Sequence, residues 1–266
     1  MKTIIIFGPN GMLGRYLNVY FSSKYNVRCV DRTEVDAETH EKDLLLKIIS
    51  SYDNPTIINC IGLIPQTTPS EKIRSYIQVN TLWPRLLADC CEKLGFNLIH
   101  ISTDCVFDGM SGLYIETDPH TETNIYGTSK SLGEPSNCTV IRTSIIGREL
   151  KGKKSLLEWV ISNKNKEIGG YDQHYWNGVT CLQLAKIIEE MIEKNIFWNG
   201  VRHIFSPKSV SKYDLIMIIS KVFELELIVN KVFTPTINKT LQTLYPTVFD
   251  VDSIEKQIEE LYYFKL

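Results

Sequence analysis

Three glycines near the start of the chain constrain its fold more than any other feature of the sequence. Gly8, Gly11 and Gly14 follow the apolar run "TIIIF" at three-residue spacing in "FGPNGMLGRYL". Glycines permit a tight turn and a close approach to a pyrophosphate, whose charge meets the free N–H groups of a helix N-terminus. A structural turn would explain the glycines alone, but a strand before them and a helix after them favour a dinucleotide site. The expected contacts are Gly8, Asn10, Gly11, Met12, Leu13 and Gly14.

Apolar runs of strand length alternate with stretches of helical periodicity over the first 147 residues. The runs are continuous, which is typical of strands that are covered on both faces. The sequence therefore predicts an α/β protein with a Rossmann-type, doubly wound parallel sheet. The expected strands cover 3–7, 27–30, 56–62, 97–102 and 138–147, and the expected helices cover 11–24, 41–51, 74–94 and 126–134.

The pattern changes after Gly147, where a lysine-rich segment leads into helices expected at 155–165 and 180–194. We interpret residues 1–147 as a dinucleotide-binding Rossmann domain, rejoined by about 174–205. Residues 148–173 and 206–266 would form a smaller mixed C-terminal region that binds the substrate.

Composition excludes several classes of protein. The 266 residues are 43% hydrophobic, enough for a substantial core, and a net charge of -2 offers no basic footprint for nucleic acid. No apolar stretch approaches the roughly 18 residues of a membrane helix. Seven cysteines without a CxxC pair indicate reduced thiols, not a disulfide framework or a metal site. We therefore expect a cytoplasmic monomer or homodimer that binds neither nucleic acid nor a membrane.

The end of the second expected strand carries the candidate selector of the cofactor. Asp31 lies about 20 residues beyond the glycines, where an acid binds the adenosine ribose hydroxyls. Arg32 and Arg15 could instead bind a 2'-phosphate, although either could be a solvated surface charge. The two arginines favour NADPH, with NADH as the alternative.

A tyrosine stands four residues before a lysine twice in the chain, in "YFSSK" and in "YGTSK". The first pair, Tyr20 and Lys24, lies on the expected first helix, where the lysine is most simply a surface residue. The second pair, Tyr126 and Lys130, begins a helix downstream of the fourth strand, whose C-terminal end carries "STDCVFDG" with Thr103. Ligands of doubly wound folds bind at the carboxyl ends of strands, so these three side chains can meet at the cofactor.

The predicted chemistry is proton transfer coupled to hydride transfer. A free tyrosine has a pKa of about 10, which an adjacent ammonium would lower. We expect Lys130 to tune the phenol, Tyr126 to deliver the proton, and Thr103 to hydrogen-bond the substrate carbonyl or the tyrosine hydroxyl. The nicotinamide would carry the hydride.

The motifs "STDCVFDG", "YGTSKSLGE", "IRTSIIG" and "WNGVTCLQLAKII" resemble those of extended short-chain dehydrogenase/reductases, in the dTDP-4-dehydrorhamnose reductase branch. The resemblance covers most of the chain and weakens after about residue 205. It implies an NAD(P)H-dependent oxidoreductase that reduces carbon 4 of a nucleotide-linked 4-keto-6-deoxy sugar for bacterial surface polysaccharide. The similar segments "NCIG" and "VNTLWPRLLA" add cofactor contacts at Cys60, Ile61, Gly62 and Asn80, beside Asp31, Arg32, Tyr126 and Lys130.

The chain departs from rhamnose-forming relatives at Cys105, where they usually have tyrosine, and at Ile145. Related epimerase-reductases that make GDP-fucose carry a catalytic cysteine at the position of Cys105. A thiolate there could remove a proton beside the ketone, with His174 as the acid, but a buried inert cysteine and a surface histidine are the simpler interpretation. A dehydratase would have glutamate after Asp104. A non-catalytic regulatory subunit has no need to keep Thr103, Tyr126 and Lys130 together.

The substrate diphosphate needs cationic or N–H partners, and "GRELKGKK" offers Arg148 and Lys154, which a solvated loop would explain equally well. The catalytic candidates are Thr103, Cys105, Tyr126 and Lys130. The expected substrate contacts are Thr103, Cys105, Val106, Phe107, Arg148, Lys154 and His174.

Overall fold

A six-stranded parallel sheet forms the centre of the protein in a computed structural model that describes residues 1–39, 41–149, 155–246 and 248–266. The strand order is β2-β1-β3-β4-β5-β10, which confirms the predicted doubly wound fold. Its strands are β1 (Thr3–Phe7), β2 (Asn26–Val30), β3 (Thr56–Asn59), β4 (Leu98–Thr103), β5 (Thr139–Thr143) and β10 (Gly200–His203).

Helices cover both faces of this sheet, because alternate residues of each strand point to opposite sides. Ile4 and Ile6 pack in one core, whereas Ile5 and Phe7 pack in the other. The helices of the first 147 residues are α1 (Met12–Phe21), α2 (Lys42–Ser50), α3 (Ile73–Tyr76), α4 (Trp83–Leu94) and α5 (Ile125–Leu132).

Two expected elements end differently in the structure. The helix expected over 74–94 is interrupted by a π-helical turn at Ile77–Leu82, after which α4 begins with Trp83 and Pro84. Proline lacks the N–H that a helix interior needs, so it fits the start of a new helix. Strand β3 ends at Asn59 instead of continuing to residue 62, because the Asn59 side chain accepts the Ile61 N–H and turns the chain.

The C-terminal half divides between the main sheet and smaller sheets. Helix α7 (Cys181–Lys194) packs against α1, and β10 extends the main sheet beside β5. Strand β8 (His174–Trp176) instead pairs with β11 (Val210–Ser211) and β13 (Ile237–Asn238) in a small sheet, so residues 174–176 do not belong to the main sheet. The remaining elements are β6 (Ile145–Ile146), α6 (Leu156–Ser162), β7 (Glu167–Tyr171), β8 (His174–Trp176), β9 (Val179–Thr180), α7 (Cys181–Lys194), β11 (Val210–Ser211), α8 (Lys212–Val222), β12 (Ile228–Val232), β13 (Ile237–Asn238) and α9 (Ile254–Tyr263).

Within the described ranges, no helix has the length and apolar character needed to span a bilayer. The division into a cofactor region and a substrate-binding region remains a proposal.

A buried arginine connects β5, α5 and β10 below the carboxyl edge of the sheet. Arg142 is 1% exposed, and its guanidinium donates to both carboxylate oxygens of Glu134, at 3.0 and 2.6 Å. It also donates to His203 Nε2 at 2.9 Å and to His120 Nε2 at 2.7 Å. Burial and the neighbouring guanidinium lower the pKa of both imidazoles, which stay neutral acceptors. The network therefore buries one cation and one anion with their hydrogen bonds satisfied.

Arg142→Met should destabilise the fold by about 3–5 kcal/mol, because it leaves the Glu134 carboxylate buried without its partner. The double variant Arg142→Met/Glu134→Gln should recover most of this loss. Urea unfolding of both variants measures the effect, with Lys194→Met, which removes an exposed ion pair to Glu190, as the control. Equal destabilisation by the single and double variants would contradict the pairing.

Candidate functional site

The glycine turn closes at the carboxyl end of β1 through two close backbone approaches. Gly8 has φ +80°, a left-handed conformation that glycine adopts without strain, and its carbonyl accepts the Gly11 N–H at 3.2 Å. A Cβ on Gly14 would lie 2.2 Å from the Gly8 oxygen. Neither Gly8 nor Gly14 can therefore be replaced without moving the turn.

The start of α1 has the features of an anion site. No side chain caps the helix at Gly11, and its first turn carries no acidic residue. The first N–H groups of α1 therefore have no capping side chain at Gly11, and no acidic side chain of the first turn offsets the positive end of the helix dipole. Leu13 is one of the expected cofactor contacts of this segment, but its side chain is buried in the hydrophobic core.

A cleft of about 260 Å³ lies beside this turn, lined by Pro9, Asn10, Arg15, Asn18, Val19, Cys29 and Asp31. Asp31 accepts hydrogen bonds from the Thr33 N–H and hydroxyl, which hold the pKa of its carboxyl below its usual range. Arg32 turns away toward Asp36, at 3.1 Å. Arg15 lines the cleft and forms no ion pair with the carboxylates of the described residues. The geometry thus favours Arg15 over Arg32 as the cation of this cleft.

The segment after β3 is tied to helix α5 by Asn80. The Asn80 side chain accepts the Leu63 N–H at 2.8 Å and donates to the Leu63 carbonyl and to Ser129 Oγ. Gly62 lies between this amide and the Lys130 amine, since a Cβ on it would be 3.6 Å from Asn80 Oδ1 and 3.9 Å from Lys130 Nζ. Asn80 therefore fixes Leu63, the residue that follows the 60–62 segment, to α5. The cofactor contacts predicted for Asn80 and for the 60–62 segment stay predictions.

Thr103, Tyr126 and Lys130 converge at the carboxyl end of β4. Thr103 is the last residue of this strand, and its hydroxyl interacts with the phenol of Tyr126. Asn124 caps α5 by accepting the Gly127 N–H at 2.9 Å, which fixes the first turn of the helix that carries the tyrosine. One turn later, Lys130 Nζ donates to the Ile101 carbonyl at 2.8 Å.

Burial dominates the ionisation of this group. It raises the pKa of Tyr126, with the Cys105 thiol and the Asp104 carboxyl acting in the same direction and Thr103 opposing them. Burial also lowers the pKa of Lys130 to about 8. The expectation that Lys130 brings the tyrosine pKa below its ordinary value is wrong for this structure, because it considered the cation and omitted the removal of the phenol from water.

The second tyrosine and lysine pair is an ion-pair site. Tyr20 donates to Glu189 at 2.6 Å, and Lys24 lies 2.8 Å from the same carboxylate. The interpretation of Lys24 as a surface residue agrees with this geometry.

Cys105 and His174 are not arranged as a base and an acid. Burial and the Asp104 carboxyl raise the pKa of the Cys105 thiol to about 12, which keeps it protonated near neutrality. His174 Nε2 is hydrogen-bonded to the Thr234 hydroxyl at 2.8 Å, and its ring stacks on Tyr171. The hydrogen bond and the stacking therefore fix the position of the His174 ring.

Three expected substrate contacts have other partners. Val106 and Phe107 are fully buried and pack with Tyr114 in a small core, so their side chains do not face a cleft. Arg148 forms an ion pair with Glu158 at 2.5 Å. Lys154 lies outside the described residues.

The comparison with known proteins decides the family. Residues 1–246 match the family described as RmlD substrate binding domain. A dTDP-4-dehydrorhamnose reductase from Aggregatibacter actinomycetemcomitans is 30% identical over 93% of this chain and 87% of its own length. The chain belongs to the RmlD substrate binding domain family. The resemblance found in the sequence is therefore confirmed.

This chain is also similar to a second reductase and to a reductase of known structure. A dTDP-4-keto-6-deoxy-D-glucose reductase from Streptomyces niveus is 28% identical over 79% of this chain and 75% of its own length. The structure of dTDP-4-dehydrorhamnose reductase from Bacillus anthracis, in complex with NADP, superposes with a TM-score of 0.83 at 20% identity, covering 98% of this chain and 99% of that one. At this identity, the superposition shows a shared fold.

Two lysines that the sequence analysis missed approach the site of this RmlD-family protein from the C-terminal half. The charges of Lys212 and Lys239 both interact with Asp104 and Cys105. Lys212 follows β11 and Lys239 follows β13, the two strands that flank β8. Only the pairing of these short strands brings them there, and the sequence around them signals no more than a helix cap at Ser211.

The lowered pKa of Lys130 makes a testable contribution to stability. Because the folded protein holds this proton more weakly than the unfolded chain does, the unfolding free energy should rise with pH between about 8 and 10.5. Lys130→Met should lack this rise. Chemical denaturation of both proteins at intervals from pH 7 to 10.5 measures the difference, in which other titrating groups cancel. Parallel pH curves would show that the Lys130 amine is not perturbed by burial.

Proposed function

We propose that this protein reduces the 4-keto group of a nucleotide-linked 4-keto-6-deoxy sugar with NADPH. The observation that carries the proposal is the convergence of Thr103, Tyr126 and Lys130 at the carboxyl end of β4, on the same edge of the sheet as the glycine turn. The names of two relatives, a dTDP-4-dehydrorhamnose reductase and a dTDP-4-keto-6-deoxy-D-glucose reductase, support this substrate class. The product would serve bacterial surface polysaccharide synthesis.

The residues of the glycine turn fit a dinucleotide. Gly8, Gly11 and the uncapped N-terminus of α1 would receive the pyrophosphate, and Asp31 the adenosine ribose. Arg15 in the neighbouring cleft would receive a 2'-phosphate, which favours NADPH over NADH. The NADP in the structural relative from Bacillus anthracis supports the same choice. The cofactor would supply the hydride.

Reduction of a ketone requires a proton donor, and the raised pKa of Tyr126 keeps its proton in place until the substrate oxygen gains charge. Thr103 would orient the carbonyl or the phenol by hydrogen bonding. A protonated Lys130 would stabilise the phenolate left after the transfer, because an ammonium in a site removed from water interacts strongly with a nearby anion. The three residues thus have separate roles in one proton transfer.

The alternatives receive less support. Epimerisation through Cys105 would need a thiolate, and the pKa of this thiol is about 12. The regulatory alternative is represented by a protein named as a subunit, the mouse methionine adenosyltransferase 2 subunit beta. It is 23% identical over 84% of this chain and 73% of its own length. A purely regulatory role would not explain why this chain keeps Thr103, Tyr126 and Lys130 together.

Tyr126→Phe should lower kcat for NADPH oxidation in the presence of a 4-keto-6-deoxy sugar nucleotide by about 10²- to 10⁴-fold, the usual contribution of a general acid. The Kd for NADPH should change little, because the ring remains. Tyr20→Phe is the matched control, since Tyr20 also precedes a lysine by four residues but bonds Glu189. Steady-state kinetics and NADPH fluorescence titration provide the two readouts. Equal activity of Tyr126→Phe and the wild-type protein would refute the role of the tyrosine.

A further inference from the structure

Lys212 occupies a fixed position at the start of α8. Ser211 Oγ accepts the Asp214 N–H at 3.0 Å, and the Asp214 carboxylate accepts the Ser211 N–H at 3.3 Å, which together form a capping box. Ser211 also pairs with Tyr175 of β8 in the small antiparallel ladder. The cap and the ladder together determine where the Lys212 side chain leaves the backbone.

The small sheet that holds this lysine is joined to the segment that follows β4. On the far side of β8, Asn238 of β13 donates its N–H to the Gly109 carbonyl at 2.6 Å. This contact joins the sheet to the segment that follows Asp104 and Cys105. The Lys212 amine lies 5.0 Å from the centroid of the Trp176 ring, and its charge interacts with Asp104 and Cys105.

Lys212 and Lys239 differ in their partners. The Lys239 amine lies 3.0 Å from a carboxylate oxygen of Glu122. For the Lys212 amine, no hydrogen bond or ion pair is found among residues 1–39, 41–149, 155–246 and 248–266. The face of Trp176 supplies the amine with a weak cation–π interaction, which leaves its three N–H donors available.

An ammonium with little access to water needs an anionic partner. Burial lowers the pKa of Lys212, with Asp104 and Cys105 acting in the opposite direction. Asp104 is a poor partner, because it is itself buried, its pKa is raised by that burial, and its Oδ1 accepts from the Thr103 hydroxyl. Arg148, which the sequence suggested for the substrate diphosphate, is occupied by Glu158.

We propose that Lys212 binds the substrate phosphate that adjoins the sugar. The inference rests on the proposed function, because it takes the substrate to be a nucleoside diphosphate sugar reduced at Tyr126. The charge of Lys212 interacts with Cys105, two residues beyond Thr103, and the small sheet is joined to the segment that follows Cys105, so this ammonium would lie nearer to the sugar-proximal phosphate than to the phosphate that adjoins the nucleoside. A charge-assisted hydrogen bond to phosphate then supplies the missing partner.

The test uses calorimetric titration of the full-length protein with dTDP, UDP and GDP, each compared with its monophosphate. For the diphosphate that binds the wild-type protein most tightly, Lys212→Met should raise Kd by about 10- to 100-fold. The Kd of the corresponding monophosphate should be unchanged, because it lacks the second phosphate. Lys212→Arg should keep most of the affinity, and Lys194→Met, an exposed lysine paired with Glu190, should keep all of it.

The outcomes are separable. An unchanged diphosphate Kd in Lys212→Met, an equal loss for the monophosphate, or no binding of any diphosphate by the wild-type protein would overturn the inference. KM for the sugar nucleotide should rise by the same factor as Kd while kcat changes less, which a merely unstable variant would not show. Diphosphate binding through Lys212 without turnover of any 4-keto sugar nucleotide would leave this contact intact and refute the proposed function.

Discussion

The amine of Lys130 is buried against the main sheet and donates to the Ile101 carbonyl at 2.8 Å. This contact joins α5 to β4, so it sets the distance between the helix that carries Tyr126 and the strand that ends at Thr103. Removal of the amine from water lowers the pKa of Lys130 to about 8. The nearby His100 imidazole does not add a second positive charge. His100, which precedes Ile101 on β4, has a pKa well below its ordinary value because of burial and the nearby Lys130. The buried Lys130 amine is thus the cation that joins α5 to β4.

The rest of the fold places separate segments of the chain at the edge of the sheet near Lys130. The parallel strands place the glycine turn, the segment after Asn59 and Thr103 on one edge of the sheet. Asn59 is fully buried, and its amide contacts His100 of β4 and Trp83 of α4. These contacts join the end of β3 to β4, the strand to which Lys130 is hydrogen-bonded. Below the same edge, the Arg142 and Glu134 pair fixes the end of α5 against β5. The relative positions of Thr103, Tyr126 and Lys130 therefore depend on buried polar contacts that hydrophobic packing alone would not specify.

The sequence predicted the features that depend on local pattern. The glycine turn, the strands and the group formed by Thr103, Tyr126 and Lys130 follow from hydrophobic runs, from spacing and from the rule that ligands bind at strand ends. Features that depend on distant pairing were missed or wrong. Lys212 reaches the site only because β11 pairs with β8, and Arg148 is neutralised by a glutamate on α6. The pKa shifts of Tyr126 and Lys130 follow from desolvation, which packing determines and spacing does not reveal.

The central claim is that a protonated Lys130, poised near neutrality by burial, supports proton donation by Tyr126. The pH dependence of kcat/KM for sugar-nucleotide reduction tests it most directly. The wild-type protein should lose activity as pH rises through about 8, when Lys130 gives up its proton. In Lys130→Arg, whose guanidinium stays charged, the loss should move to higher pH. A wild-type profile that is flat to pH 10, or an identical alkaline limb in Lys130→Arg, would contradict the account.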